Sequence, residues 1–363
     1  FFFFSYSPEE ISSFSTTMLR SMAATGFSSI LQSEVNALTV TQMSFLTTAQ
    51  AEALTVNQIC HLTSLQLSAL SATQISLFSS SEIASLSQTQ LQGLTSSDIG
   101  ELATTQINAL TETQLSLLSA TQINGLSQRQ VAALTTAQLA NLSTTQLASF
   151  TVNQFSALPF SEMQALSTAQ TAALPATLMG AITSLQLRAM TPEQIASLSA
   201  SQIEAIPCTA LKGMTATQCA VLSATQLAAF SSSQIPYLTP ESMAALDESQ
   251  LSALSSTQFA TLTTAQIKKL QSTQLASLPA TLLNALSSTQ CGALYTSQIC
   301  YLTPTQISQM TSTQLSGLAS SHISALTGTQ FAAFTETQMA FLTANQFSGL
   351  TSTDISEISA RQI

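Results

Sequence analysis

Cys60 and His61 stand side by side, a thiol next to an imidazole, the two groups from which a nucleophile and its base are built. A working dyad needs a third group to orient the base, and the segment Leu54–Thr63 holds neither Asp nor Glu. The second histidine, His322, occupies a place where neighbouring segments carry Gln, so it reads as a substitute for Gln. The five cysteines are odd in number and without CxxC spacing, which describes neither a disulfide framework nor a zinc site. Cys219 and Cys291 fall where other segments have Ile or Leu and read as small buried hydrophobes. Cys60 and Cys300 share one place in the chain's pattern, which suits a disulfide between copies, and Cys208 has no evident partner. Lys268-Lys269 reads as a solvated helix end, and Asn141-Leu142-Ser143 matches the N-glycosylation pattern only because Leu-Ser/Thr follows every such position.

These groups are few for a chain of 363 residues, in which 7% are charged and 45% hydrophobic. An ordinary globule carries about 25% charged residues, so Ser, Thr and Gln must build this surface. Seven basic against 17 acidic residues give a net charge of −10, the wrong sign for neutralising phosphates, so no nucleic-acid partner is expected. No enzymatic activity, cofactor or metal is expected either, because no acid, base and nucleophile cluster. Polar residues interrupt every apolar run, so no membrane span is expected. The opening Phe1-Phe2-Phe3-Phe4 lacks a basic flank and is left unassigned.

From Tyr6 onward the chain divides into about 45 blocks of eight with no insertion, as in LTVTQMSF from Leu38, LTVNQICH from Leu54 and LTTAQIKK from Leu262. Numbered 1 to 8, the block reads L-[ST]-x-x-Q-[ILFM]-x-small. Apolar positions 1 and 6 have opposite parity, which sends them to opposite faces of a strand. A continuous α-helix would drift about 80° per block and smear the apolar stripe. Regular structure must therefore break once per block.

Positions 2 to 5 spell [ST]-x-x-Q, the capping box in which the hydroxyl binds the N3 amide and the Gln side chain returns to the N-cap amide. Proline placement agrees. Pro8, Pro192, Pro240 and Pro304 lie at position 3, the first helical residue, and only Pro236 falls outside the helix boundary. Pro159, Pro175, Pro207 and Pro279 lie at position 2, where they offer no N–H for the Gln. Position 5 of those four blocks is Glu162, Leu178, Ala210 and Leu282, whereas 32 of the remaining 41 blocks have Gln there.

Helices this short do not persist alone in water, so neighbouring blocks must stack. The expected fold is all-α, a solenoid or superhelix of very short capped helices, one per octapeptide. The alternative is a β-solenoid with a Gln ladder, which needs Gly, Asn or Asp at its corners. In residues 1–37, position 5 holds Glu10, Met18, Gly26 and Glu34, a degenerate repeat expected to act as a cap; residues 38–363 form the regular array, which stops at Ile363 in mid-block.

Position 4 lies about 200° from apolar position 6 on a helical wheel. It is often threonine: Thr73, Thr105, Thr113, Thr121, Thr145, Thr225, Thr257, Thr289, Thr313 and Thr337. These are the candidate O-glycosylation sites. The opening Met190-Thr191-Pro192-Glu193-Gln194 resembles the LTPEQ start of the DNA-reading repeats of TAL effectors, a likeness confined to a helix start. The chain as a whole resembles the tandem LTTAQ[VI]xAL octapeptide arrays of large bacterial surface or secreted proteins, on motifs such as Leu134–Leu139 and Leu262–Ile267. That resemblance implies an extracellular or cell-surface array whose job is length. The expected function is a structural one, a subunit of an extracellular fibre or a surface spacer that self-associates into a filament and carries glycans on its Ser/Thr rows. The alternative is a repetitive binding module, an adhesin or ice-binding face.

Overall fold

The computed structural model describes residues 6–356; the Phe1–Phe4 opening and Ile363 lie outside them. Among the described residues there are 42 α-helices of four to six residues and two 3-10 helices, one per octapeptide, and no strand. The protein is an all-α solenoid of short capped helices. The chain divides into two compact units, residues 1–178 and 179–363, each built the same way.

The block Thr263–Leu270 shows why each helix starts and stops. The Thr263 hydroxyl accepts from the Gln266 amide at 3.2 Å, and Gln266 Oε1 accepts from the Thr263 amide at 2.8 Å, closing the capping box. The helix runs Thr264–Lys269 and ends as the Leu270 amide turns back to the Ile267 carbonyl at 3.2 Å. Leu270 (φ −58°, ψ 136°) and Gln271 (φ −72°, ψ 151°) then extend the chain into the next cap. No described residue has positive φ, so the helix exit needs no glycine, which is why only ten occur in the chain.

Prolines sit where this cycle tolerates them. Pro192, Pro240 and Pro304 open their helices, while Pro207 and Pro279 are themselves N-caps without a side-chain bond. Pro236 removes an amide that other blocks use inside the helix, and its block relaxes to a 3-10 turn, Ile235–Tyr237.

The core is a narrow column of positions 6 and 1, exemplified by Ile267 and Phe259 with Leu262 and Leu270, all buried. Each helix packs on the one three blocks later, as Ser96–Glu101 does on Ala120–Gly125 and Pro240–Ala244 on Thr264–Lys269. Position 8 passes over position 3 of the earlier turn, and at Gly125 and Gly317 the approach is so close that a Cβ would meet the carbonyls of Ser96 and Ser288.

Candidate functional site

The position-5 glutamine does more than cap its own helix. Gln266 is fully buried, and its Nε2 donates to the Ile235 carbonyl at 2.9 Å and the Leu238 carbonyl at 2.8 Å, 31 and 28 residues earlier. Gln58, Gln138, Gln226 and Gln330 repeat this pattern with the same two offsets. One amide thus satisfies an orphan N–H at its own N-cap and two carbonyls at a helix end of the preceding turn. The superhelical turn therefore closes in between three and four octapeptides. A glutamine ladder is present, as in the β alternative, but it joins stacked helices.

A carboxylate can only accept, so acidic residues at position 5 keep the cap and drop the ladder. Glu82 and Asp98 accept from the amides of Ser79 and Thr95 and donate nothing to an earlier turn. Ser242 does the reverse, its hydroxyl donating to the Met214 carbonyl at 2.8 Å. Glu162, in a block whose proline has no amide to give, has a buried Oε2 without a hydrogen-bond partner.

His322 stands in for Gln, as its position implies. It is 7% exposed; Nδ1 accepts from the Ala319 amide at 2.9 Å, and Nε2 faces the Leu294 carbonyl at 2.9 Å. This network assigns a neutral imidazole with its proton on Nε2. The ring reaches one carbonyl of the earlier turn where Gln reaches two. His322→Gln should restore the bond to the Cys291 carbonyl and raise stability by about 1 kcal/mol in denaturant unfolding.

The Cys60–His61 pair is not arranged as a nucleophile and base. His61 Nδ1 lies 2.8 Å from the Asn57 carbonyl, which only accepts, so Nδ1 carries a proton and cannot take one from the Cys60 thiol 3.1 Å away. All five cysteines are free. Burial pushes the thiols of Cys219 and Cys291 up to about 12, while Cys60, Cys208 and Cys300 are half-buried. A thiol reagent should therefore label three cysteines in the native protein and five in denaturant, counted by mass spectrometry.

Lys268 and Lys269 close their helix as the sequence implies. Lys269 pairs with Glu241 at 3.3 Å, both exposed, and Lys268 lies 5.8 Å from the Tyr295 ring centroid. Among the described residues no helix is long and apolar enough to cross a membrane, and no group of three His, Cys, Asp or Glu is placed to hold a metal.

The ten candidate threonines at position 4 are all exposed. Each lies in the first turn of its helix on the side away from position 6, so the octapeptide repeats the same hydroxyl on the outer wall. The serines at position 7 are engaged differently: the hydroxyls of Ser76, Ser116 and Ser316 donate to the carbonyls of Thr73, Thr113 and Thr313 at 2.7 to 2.9 Å. The Thr257 hydroxyl meets that of its N-cap Ser255 at 2.9 Å. Sequence reasoning located the hydroxyl row but not the bonds that occupy position 7. It also missed the donor role of glutamine. The signal for that role was present, because a capping box accepts Glu as readily as Gln and this chain uses Gln almost throughout. The chain matches no protein-family model and no curated protein.

Proposed function

We propose that the protein is a structural array, the subunit of an extracellular fibre or a surface spacer, carrying O-linked glycans on the position-4 threonines. The observation that supports this reading best is the recurrence of an exposed threonine at one place in the octapeptide, from Thr73 to Thr337, on a scaffold whose buried polar groups serve stacking. The likeness to bacterial surface arrays and the weak charge repulsion between copies point the same way, since only 7% of residues are charged. The reading assigns the chain no catalytic role.

Intact-mass measurement of the protein from its native host tests the proposal. The expected result is a mass above that of the bare polypeptide, with β-elimination removing the excess and marking the position-4 threonines. A mass unchanged by β-elimination, together with measurable affinity of the bare threonine face for ice or a glycan surface, would overturn it in favour of the binding module.

A further inference from the structure

The chain's few charges are unevenly placed. Between Arg20 and Arg129 stand six acidic residues and no Lys or Arg, whereas all three lysines fall at Lys212, Lys268 and Lys269. The ladder offsets of 28 and 31 residues measure one superhelical turn, so residues separated by twice those offsets lie on one side of a unit, two turns apart. Lys212 and Lys268, both exposed, are 56 residues apart. Each meets a tyrosine of the following turn: Lys212 Nζ lies 5.6 Å from the Tyr237 ring centroid and Lys268 Nζ 5.8 Å from that of Tyr295. Both tyrosines keep much of their surface free, at 39% and 53% exposure, and Glu241 beside this strip is neutralised by Lys269 at 3.3 Å. The strip breaks the rules of the repeat. Tyr295 occupies position 2, where Ser or Thr caps, and makes no side-chain cap bond; Tyr237 ends the 3-10 turn of the Pro236 block; Lys212 follows a helix whose cap is Pro207. Breaks in an otherwise consistent pattern mark residues kept for something other than folding.

The opposite charge repeats this spacing in the unit of residues 1–178. Glu52 and Glu112, both exposed, are 60 residues apart, again two turns. Glu82, midway, is half-buried, and its carboxylate accepts from the Ser79 amide. Leu77 stands 25 residues after Glu52 as Tyr237 stands 25 after Lys212, in both cases at positions 7 and 8 of the block, and it is 39% exposed. Two cations with a tyrosine on the turn between them thus match two carboxylates with a leucine on the turn between them. We propose that the Lys212–Lys268 strip of one copy docks side by side on the Glu52–Glu112 strip of a second copy. This names the lateral contact of the fibre reading above and rests on that reading. Because both strips are built on the same octapeptide solenoid, the two charge pairs stay in step along it. Tyr237 and Leu77 supply the apolar contact, while the charges set the register and repel a pairing of like strips.

The test reverses each strip in the full chain and then mixes the products. Lys212→Glu with Lys268→Glu makes one variant and Glu52→Lys with Glu112→Lys the other, while Lys212→Gln with Lys268→Gln is a neutral form of the first. All four sites are exposed, and circular dichroism checks helical content. Sedimentation velocity at low and high salt reads the association. The expected result is a parent whose association falls with added salt, weakens at least tenfold in either reversal variant alone, and returns when the two are mixed. Folded variants that associate like the parent, or a mixture that associates no better than its parts, would overturn the proposal; filaments that persist in those variants would leave the fibre reading standing without this contact. A parent that stays monomeric at every concentration would overturn both. Lysine reversal that abolishes binding to polygalacturonate and leaves self-association unchanged would overturn the proposal in favour of an acidic polysaccharide as the occupant.

Discussion

Gln266→Ala should lower stability by about 3–5 kcal/mol, the sum of a lost cap bond and buried groups left without partners. The substitution orphans the Thr263 amide and removes a donor from the Ile235 and Leu238 carbonyls, in a place with no exposure to water. It also leaves a cavity where the side chain lay. Gln266→Glu separates the two roles of the amide. The cap bond survives, but a carboxylate oxygen now faces two carbonyls, so the loss at neutral pH should approach that of alanine. A protonated carboxyl can donate again. Because the folded state favours the protonated form, this carboxyl is raised above the ordinary value of about 4, so the variant's deficit should shrink as pH falls toward that value and change no further below it. Urea unfolding of the three proteins between neutral and acidic pH measures both effects. Loss of under 1 kcal/mol for Gln266→Ala would show that the ladder bonds add little to stacking.

Removing four residues should be far worse than removing eight. Excising the block Leu254–Thr261 joins Ala253 to Leu262 in register, so later glutamines still meet carbonyls of positions 6 and 1 across the turn. The expected cost is that of one block among many. Excising Leu254–Thr257 shifts the later chain by half a block. Over the next turn the amides of Gln258, Gln266 and Gln274 then face carbonyls of positions 5 and 2, which already accept inside their own helices. The core columns of positions 6 and 1 lose alignment with them. With three ladder groups lost, the deficit should be on the order of 10 kcal/mol, and the array should unfold in separate steps on either side of the cut. Calorimetry of the two deletions decides this, and equal transition temperatures would contradict a fold held in register.

The local half of this fold was legible because its determinants lie within eight residues. The hydroxyl at Thr263, the amide at Gln266 and the proline-dependent loss of Gln at Leu178 and Leu282 all report one helix boundary, and the boundary recurs. The substitution of His322 was legible for the same reason. The lateral half was not, since the partners of Gln266 lie 28 and 31 residues away and no motif within a block encodes that distance. The preference for Gln over Glu carried the information, but reading it required knowing that acceptors wait on the neighbouring turn. The irregular blocks follow from the same chemistry. Asp98 and Glu82 retain half of the function of glutamine, Ser242 the other half, and Ala210 neither. Among surface groups the threonine row was legible from helical geometry, whereas the bonds of the Ser76 and Ser316 hydroxyls to carbonyls of their own helices depend on rotamers that a sequence does not display.

Hydrogen exchange of the glutamine side-chain amides, followed by NMR, tests the ladder most directly. The account predicts that position-5 amides such as those of Gln266 and Gln330 exchange as slowly as the backbone amides of their helices, while exposed glutamines such as Gln88 and Gln128 exchange at the rate of free side chains. Rapid exchange at position 5 in a folded protein would contradict it, because an amide that water reaches freely is not the one that ties each turn to the last.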